Sequence, residues 1–386
     1  MFGGEVGDRM HRASRPVTVG GMTAIGSGTV RLVGTVLPGG ERRELHLSGG
    51  VVVERPASGD VRTVSTDGWI VPGLVDAHCH IGLDQRGAVD EETQLEQAIA
   101  DRDAGALLVR DAGSAADTRW IDDREDLPKI IRAGRHIARS KRYIRNYGWE
   151  IEPGELVAYV EQEARRGDGW VKLVGDWIDR DAGDLTPCWP ADALDAAIAR
   201  AHELGARVTA HVFGEDALPD LLAAGIDCLE HATGLRPELL DDMAARGVAV
   251  VPTIVQLENF PMYANQAEAK FPQYAAHMRD LYERRHETLR NAVEAGVPVY
   301  AGTDAGGVLG HGLVADEIRA LTEIGMTGEQ ALAAGSWAAR EWLGVPGELT
   351  PGAPADLVVY DEDPRLDPRV LDAPRLIVLR GKPVKG

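Results

Sequence analysis

Eight short apolar runs alternate with helical segments through the middle of this 386-residue chain, and both of its ends are β-rich. These two textures predict an α/β protein: a (β/α)8 TIM barrel over residues 71–345, with a small β-sandwich built from residues 1–70 and 346–386. A third observation weakens the main rival. A doubly wound sheet would open its first helix with G-x-G-x-x-G, and no such motif follows the first strand.

Each element carries its own signal. At the N-terminal end, GTVRLVGTVLP, RRELHLSGGVVVE and VRTVSTDGWIVPG alternate or cluster β-branched residues between Gly, Pro and Asp. ADLVVYDEDP and RLIVLRGKPV repeat that style near the C-terminus. The middle runs are WIVPGLVDAHCH, ALLVRDAG, KIIRAGRH, WVKLVGD, ARVTAHVFG, CLEHATG, VAVVPTIV and VPVYAGTDAGG. They are almost continuously apolar, as parallel strands covered on both faces are. Between them, PADALDAAIARAHELG sets Leu194, Ile198, Ala201 and Leu204 at helical spacing behind Pro190. RPELLDDMAARG and ELVAYVEQEARRG read the same way, and Thr327 followed by Gln330 is a capping box. The stretch 257–295, with Phe260, Met262, Tyr263, Phe271 and Tyr274, reads either as a lid or as an extra packed helix pair.

Composition narrows the function classes. Sixty-one Asp and Glu against 41 Lys and Arg give a net charge of −20, which argues against nucleic acid or an anionic membrane as partner. Cys79, Cys188 and Cys228 are too few for a disulfide framework, so a reducing compartment is expected. No apolar run approaches a membrane span, and the first residues lack the apolar core of a signal peptide. The expectation is a cytoplasmic protein acting on a small molecule, with homo-oligomerisation left open.

Chemistry in a barrel sits at the C-terminal ends of the strands. The first run ends in His78-Cys79-His80, and residues two apart share a strand face, so both imidazoles point together. Lys172, His211, His231 and Asp304 occupy the corresponding places in four further runs. A lone strand-end histidine is usually a hydrogen-bonded structural residue, and Asp304 alone could cap a helix. Four histidines, an aspartate and a lysine at one end of five strands are hard to explain as packing. Imidazole and carboxylate without a thiolate cluster suit Zn, Mn, Co or Fe. Cys79 faces away from its neighbours and reads as a small buried hydrophobe. Lys172 has two readings. Burial makes its amine neutral and able to form a carbamate with carbon dioxide, or it pairs with Asp176 or Asp304. His11, His46, His202, His277 and His286 end no barrel strand, and His311 lies beyond the last one in a Gly-rich loop.

PGLVDAHCHIGL, WVKLV, AHVFG, LEHATG, AGTDAG and LTPGAPADLVVYDEDP together resemble the amidohydrolase superfamily over nearly the whole chain. The resemblance is to its binuclear-metal, carboxylated-lysine type, in the prolidase-like or Xaa-Pro dipeptidase-like branch. It implies His78, His80 and Asp304 on a more buried metal, His211 and His231 on a second, and carboxylated Lys172 bridging two divalent ions, zinc first. It further implies a metal-bridging hydroxide that attacks an amide carbonyl of a small peptide or N-acyl amino acid, with Asp304 carrying the proton. The branch has Gly-Gly-His-Gly after its third strand. Here the stretch is Ala133-Gly134-Arg135-His136-Ile137, so His136 holds the carbonyl-polarising position while the flanking glycines differ. The basic loop ARSKRYIRNYGWE then offers Arg145, with Arg139 or Arg142 and Tyr143 or Tyr147, to a substrate carboxylate. Alternatives are hydrolysis of a lactone, carbamate, urea or organophosphate ester. A non-catalytic binding barrel is the remote alternative, disfavoured because all six ligand positions are filled.

Overall fold

The structure is a computed structural model and describes residues 28–55 and 59–386. His11 and the start of the expected N-terminal β segment lie outside the described residues.

The two chain ends fold together. Thr29–Val36 runs antiparallel to Glu41–Ser48, and Trp69–Pro72 runs antiparallel to Leu357–Tyr360 from the far end of the chain. Leu376–Leu379 and Lys382–Lys385 extend the same sheet, which has eight strands among the described residues. Leu32, Leu45, Leu47, Ile70, Leu357, Val359 and Val378 pack together on its buried side. The hydrogen bonds join these strands in one sheet, so the two facing sheets of the expected sandwich do not appear as separate ladders.

The middle of the chain is parallel β/α structure in two ladders. One holds Leu74–Cys79, Ala106–Asp111 and Lys129–Arg132; the other holds Trp149–Ile151, Ile137–Arg139, Trp170–Val174, Arg207–Val212, Cys228–His231 and Ala249–Val251. Helices Glu91–Asp103, Leu156–Arg166, Ala191–Glu203, Leu218–Ala223 and Pro237–Arg246 follow the strands, as the apolar spacing predicts. A continuous closed ladder is expected from the sequence, and the structure interrupts it twice. The third run breaks at Gly134, whose φ is 72°, so that its first half pairs in one sheet and its second half in the other. The eighth run, 297–305, forms no regular strand. Pro298 has no N–H to give a ladder, and its carbonyl instead accepts from Val250 N at 2.8 Å. On the opposite side Ala77 N donates to Ala301 O and Thr303 N to His78 O, at 2.8 and 2.9 Å. The eighth run thus touches both sheets through isolated bonds.

The stretch after Ala249–Val251 forms helices Ile254–Leu257, Phe260–Ala267 and Pro272–Glu294. Phe260, Ala264, Met278, Leu281 and Leu289 are fully buried there. It is packed helical structure, with Phe260 and Tyr263 on the side nearest the histidines.

Candidate metal centre

Alternation along Leu74–Cys79 delivers what it promises. His78 and His80 are buried side by side, with ring centroids 5.0 Å apart, while the Cys79 thiol points the other way, towards Asp101. Each imidazole is fixed by its Nδ1. His78 Nδ1 donates to Glu230 Oε2 at 2.7 Å, and His80 Nδ1 donates to the Gly113 carbonyl at 2.7 Å. Carboxylate and carbonyl oxygens accept only, so the proton of each ring sits on Nδ1 and both Nε2 atoms carry lone pairs. Those two lone-pair nitrogens face each other at 3.2 Å, with Asp304 Oδ1 at 3.2 and 3.0 Å. His231 Nδ1 is paired with Thr253 Oγ1 at 2.7 Å, and the ligand atoms of His78, His231 and Asp304 lie within 4.8 Å of one another.

Other polar atoms converge here without partners. Lys172 Nζ, His211 Nε2 and both nitrogens of His136 are buried and make no hydrogen bond among the described residues. Each such atom costs on the order of 1–3 kcal/mol when left unsatisfied. Burial pushes His136 and His211 well below the ordinary imidazole range and His231 down to about 3, so the rings are neutral. Burial also lowers Lys172. Its expected alternative pairing is absent. Asp176 instead accepts from Phe213 N and Gly214 N, at 3.0 and 2.6 Å. Inward lone pairs, neutral imidazoles and a carboxylate are the donor set a divalent cation takes. The residues present fit such an ion.

The backbone is strained at the same place. His231, Ala232, Thr253 and Asp304 take φ of 66°, 56°, 50° and 58°, the left-handed region that non-glycine residues rarely adopt. Gly306 is required two residues after Asp304, because a Cβ there would collide with the His80 carbonyl oxygen.

Three residues of this centre went unread in the sequence. Glu230 is completely buried; its Oε1 accepts from Arg110 Nη2 at 2.6 Å and from the Thr209 hydroxyl, while Oε2 fixes His78. Arg110 is stacked against Trp170 and Trp342, 4.6 and 5.0 Å from the ring centroids. Asp76 accepts from Thr303 Oγ1, Thr303 N and His78 N, tying the first run to the eighth. Asp76 had a signal, since it shares the face of His78 and His80.

The basic loop does something other than expected. Tyr143 is half-buried with its ring 5.2 Å from His136 and 5.6 Å from His211, and Tyr147 is buried 5.9 Å from His136. Arg145 is exposed and makes no hydrogen bond or ion pair among the described residues, so the structure does not bring it to the histidines. Arg142 is buried, donating to Asp179, the Trp177 and Thr186 carbonyls and the Thr186 hydroxyl. Arg139 reaches the Cys188 carbonyl at 3.5 Å. His311 stays outside the centre, its Nδ1 donating to Asp101 Oδ2 at 2.8 Å. His46, His202, His277 and His286 pair with carboxylates elsewhere, as expected of structural residues. A cleft of about 390 Å³ opens beside loop 306–311, against Leu83, Gln97 and Ala100. It is the converging donor atoms, not this cleft, that mark the chemistry.

Residues 170–384 match the family described as "Amidohydrolase family". An uncharacterised protein of Mycobacterium tuberculosis is 56% identical over 350 residues, covering 90% of this chain and 94% of its own. The chain belongs to the amidohydrolase family. It is an enzyme of the class acting on C–N bonds, and its family generally uses divalent metals. The matched segment contains Lys172, His211, His231 and Asp304, whereas His78, His80 and His136 precede it. The ochratoxinase of Aspergillus niger is 26% identical over 358 residues, covering 80% of this amidohydrolase and 73% of its own length. Among solved structures, a Xaa-Pro dipeptidase with bound methionine superposes with a TM-score of 0.79 over 93% of this chain and 100% of that one, at 23% identity. At that identity the likeness speaks for the fold alone. No helix of the described residues is long and apolar enough to cross a membrane.

Proposed function

We propose that this amidohydrolase is a binuclear metal enzyme that hydrolyses the amide bond of a small molecule such as a peptide or N-acyl amino acid. Residues 71–345 form its barrel and the two chain ends its β domain. His78, His80 and Asp304 would hold one ion, His211 and His231 the other, and Lys172, carboxylated, would serve both, with zinc the first choice of metal. The observation that carries this reading is the cluster of inward lone pairs on His78, His80, His231 and Asp304, with Lys172 Nζ and His211 Nε2 buried and unpartnered beside it. The three free, buried cysteines support a cytoplasmic setting. The names of the ochratoxinase and the dipeptidase support hydrolysis.

When bound, the metal ions lower the pKa of water and polarise a carbonyl. The chain's own residues do the rest. Asp304 accepts a proton from the attacking water at its carboxylate and passes it to the leaving nitrogen as the C–N bond breaks. The products are a carboxylate and an amine. Neutral His136, buried beside His80 with both nitrogens free, donates to the substrate carbonyl oxygen. Glu230 and Gly113 keep the first histidine pair in the tautomer that faces its Nε2 atoms inward.

Elemental analysis of the purified protein is expected to give close to two divalent metals per chain. Lys172→Ala should lose one of them together with nearly all amide hydrolysis. A fully active Lys172→Ala protein sinks the carbamate bridge.

A further inference from the structure

One flank of the centre is aromatic throughout. Trp177 lies 5.2 Å and Phe213 4.3 Å from the His211 ring, and Phe213 lies 4.9 Å from His231. Tyr143 packs edge-on against Trp177 at 4.8 Å, and Phe260 edge-on against Phe213 at 4.7 Å. Tyr263 follows at 6.3 Å from Phe260, its hydroxyl accepting from Gln256 Nε2 at 2.8 Å. Phe213 and Phe260 are buried and act as backing, while Tyr143, Trp177 and Tyr263 keep exposed ring surface. These rings come from separate segments: the loop after the third run, the hairpin Asp176–Asp179 and Asp184–Pro187, the end of the fifth run, and the helical stretch after the seventh.

The buried and half-buried cations near this wall, Arg142, Arg135 and His277, are already answered, while Arg145 on the same loop as Arg142 is exposed. Arg142 pairs with Asp179 through Nη1 and gives Nη2 to two carbonyls and a hydroxyl, only its Nε being without a partner. Arg135 donates to the Tyr147 carbonyl and stacks on Trp149, 4.4 Å from the ring centroid. His277 is held between Asp184 and Glu215, at 2.9 and 3.0 Å. Among the described residues the wall therefore offers ring faces and phenol hydroxyls, with the carboxylate of Asp176 close behind His211. Away from the ions themselves, a substrate carboxylate laid against these rings would lose its water and meet no unpaired buried cation among the described residues.

Resting on the hydrolase reading above, we infer that the substrate presents an uncharged aromatic group beside His211 and His231, against the exposed ring surface of Tyr143, Trp177 and Tyr263, rather than a free carboxylate. Aromatic rings favour offset and edge-to-face partners at centroid distances of about 4.5–7 Å, which is the spacing this wall is built on.

The test uses the metal-loaded protein and four probes: N-acetylphenylalaninamide, N-acetylphenylalanine, and their alanine counterparts. Calorimetric binding is measured beside release of acetate. The phenylalaninamide is expected to bind at least about tenfold more tightly than both its free acid and the alaninamide. Trp177→Ala, or Tyr263→Leu if the first variant does not fold, should collapse the phenyl-to-methyl binding ratio to within about twofold. Tyr143→Arg should shift preference towards the free acids. Tighter binding of the free acids by the unaltered protein overturns the inference, as does an intact ratio in the folded wall variants. If the amide binds as stated and no probe is hydrolysed, the aromatic site stands and the N-acyl amino acid reading of the proposed function is what fails.

Discussion

At the scale of single residues, the most consequential contact is the one that Glu230 makes. It sits between a buried guanidinium and a buried imidazole, touching Arg110 Nη2 at 2.6 Å and His78 Nδ1 at 2.7 Å. Removing a buried partner leaves the other charge unanswered, which typically costs about 3–5 kcal/mol. Glu230→Ala should therefore lower unfolding stability in urea by that order. Glu230→Gln keeps the shape and one acceptor oxygen, so the fold should survive while metal affinity drops by about 10–100-fold, as for other carboxylates behind metal-facing histidines. Metal titration of the folded variant checks this; unchanged affinity would show that Glu230 does not orient His78. The strand period made His78 and His80 readable, and the same two-residue step carries a signal for Asp76 that went unread. Glu230 escaped because it is next to His231, and alternation would send neighbours to opposite faces. The left-handed φ of 66° at His231 breaks the alternation and lets both face the centre. Nothing in the residue types announces that turn.

At the scale of elements, the sequence spoke clearly where a pattern is local. Thr327 and Gln330 form the capping box in both directions, with Thr327 N donating to Gln330 Oε1 at 2.8 Å and Gln330 N to Thr327 Oγ1 at 3.2 Å. The basic loop was misleading because charge in a sequence does not say what answers it, and the carboxylates and carbonyls that occupy Arg142 come from the hairpin at residues 176–187. The same hairpin is latched to the long helix Pro272–Glu294 by His277, whose two nitrogens meet Asp184 and Glu215. Arg284 also reaches Glu215, and Asp176 lies within the field of His277. Hydrogen bonding to Glu215 outweighs burial and lifts His277 from 6.5 to about 9, while burial at Glu215 is overcome by His277 and Arg284, which take it from 4.5 to about 2. The raised histidine stabilises fully below pH 6.5, and that contribution is lost as pH climbs through about 9. The depressed glutamate contributes above pH 4.5 and fails as pH falls towards 2. The latch is thus strongest between pH 4.5 and 6.5. The melting-temperature gap between the native protein and His277→Gln should be widest in that window and narrow by pH 9. A gap constant from pH 5 to pH 9 would mean that His277 is not charged in the latch.

At the scale of the whole molecule, the sequence joined the two β-rich ends, which share one sheet, and it located parallel β/α structure in the middle, though the eighth expected run forms no regular strand and the third is split between ladders. It could not show where the ladder is weak. That depends on backbone bonds, and Pro298 and Gly134 each interrupt one. The weak seam matters for function. His78 and His80 stand on one side of it, His211 and His231 on the other, and Asp304 lies in the seam itself, joined to His78 O through its own N–H at 2.7 Å. An ion held by both sides would cross-link what the backbone bridges only lightly, and a ligand that binds the folded state alone stabilises it by mass action. Chelation should accordingly act locally first. Amides of Ala77, Thr303 and Asp304 are expected to exchange their hydrogens faster in the metal-stripped protein, because their acceptors Ala301 O and His78 O span the seam. Amides of Leu357–Tyr360 and Leu376–Leu379, paired in the sheet made from the chain ends, should keep their protection under the same conditions. Re-adding zinc should restore the seam amides in proportion to the metal bound. Equal loss of protection in both regions would mean instead that the metal is coupled to global unfolding, and that the ends and the barrel strands open as one cooperative unit.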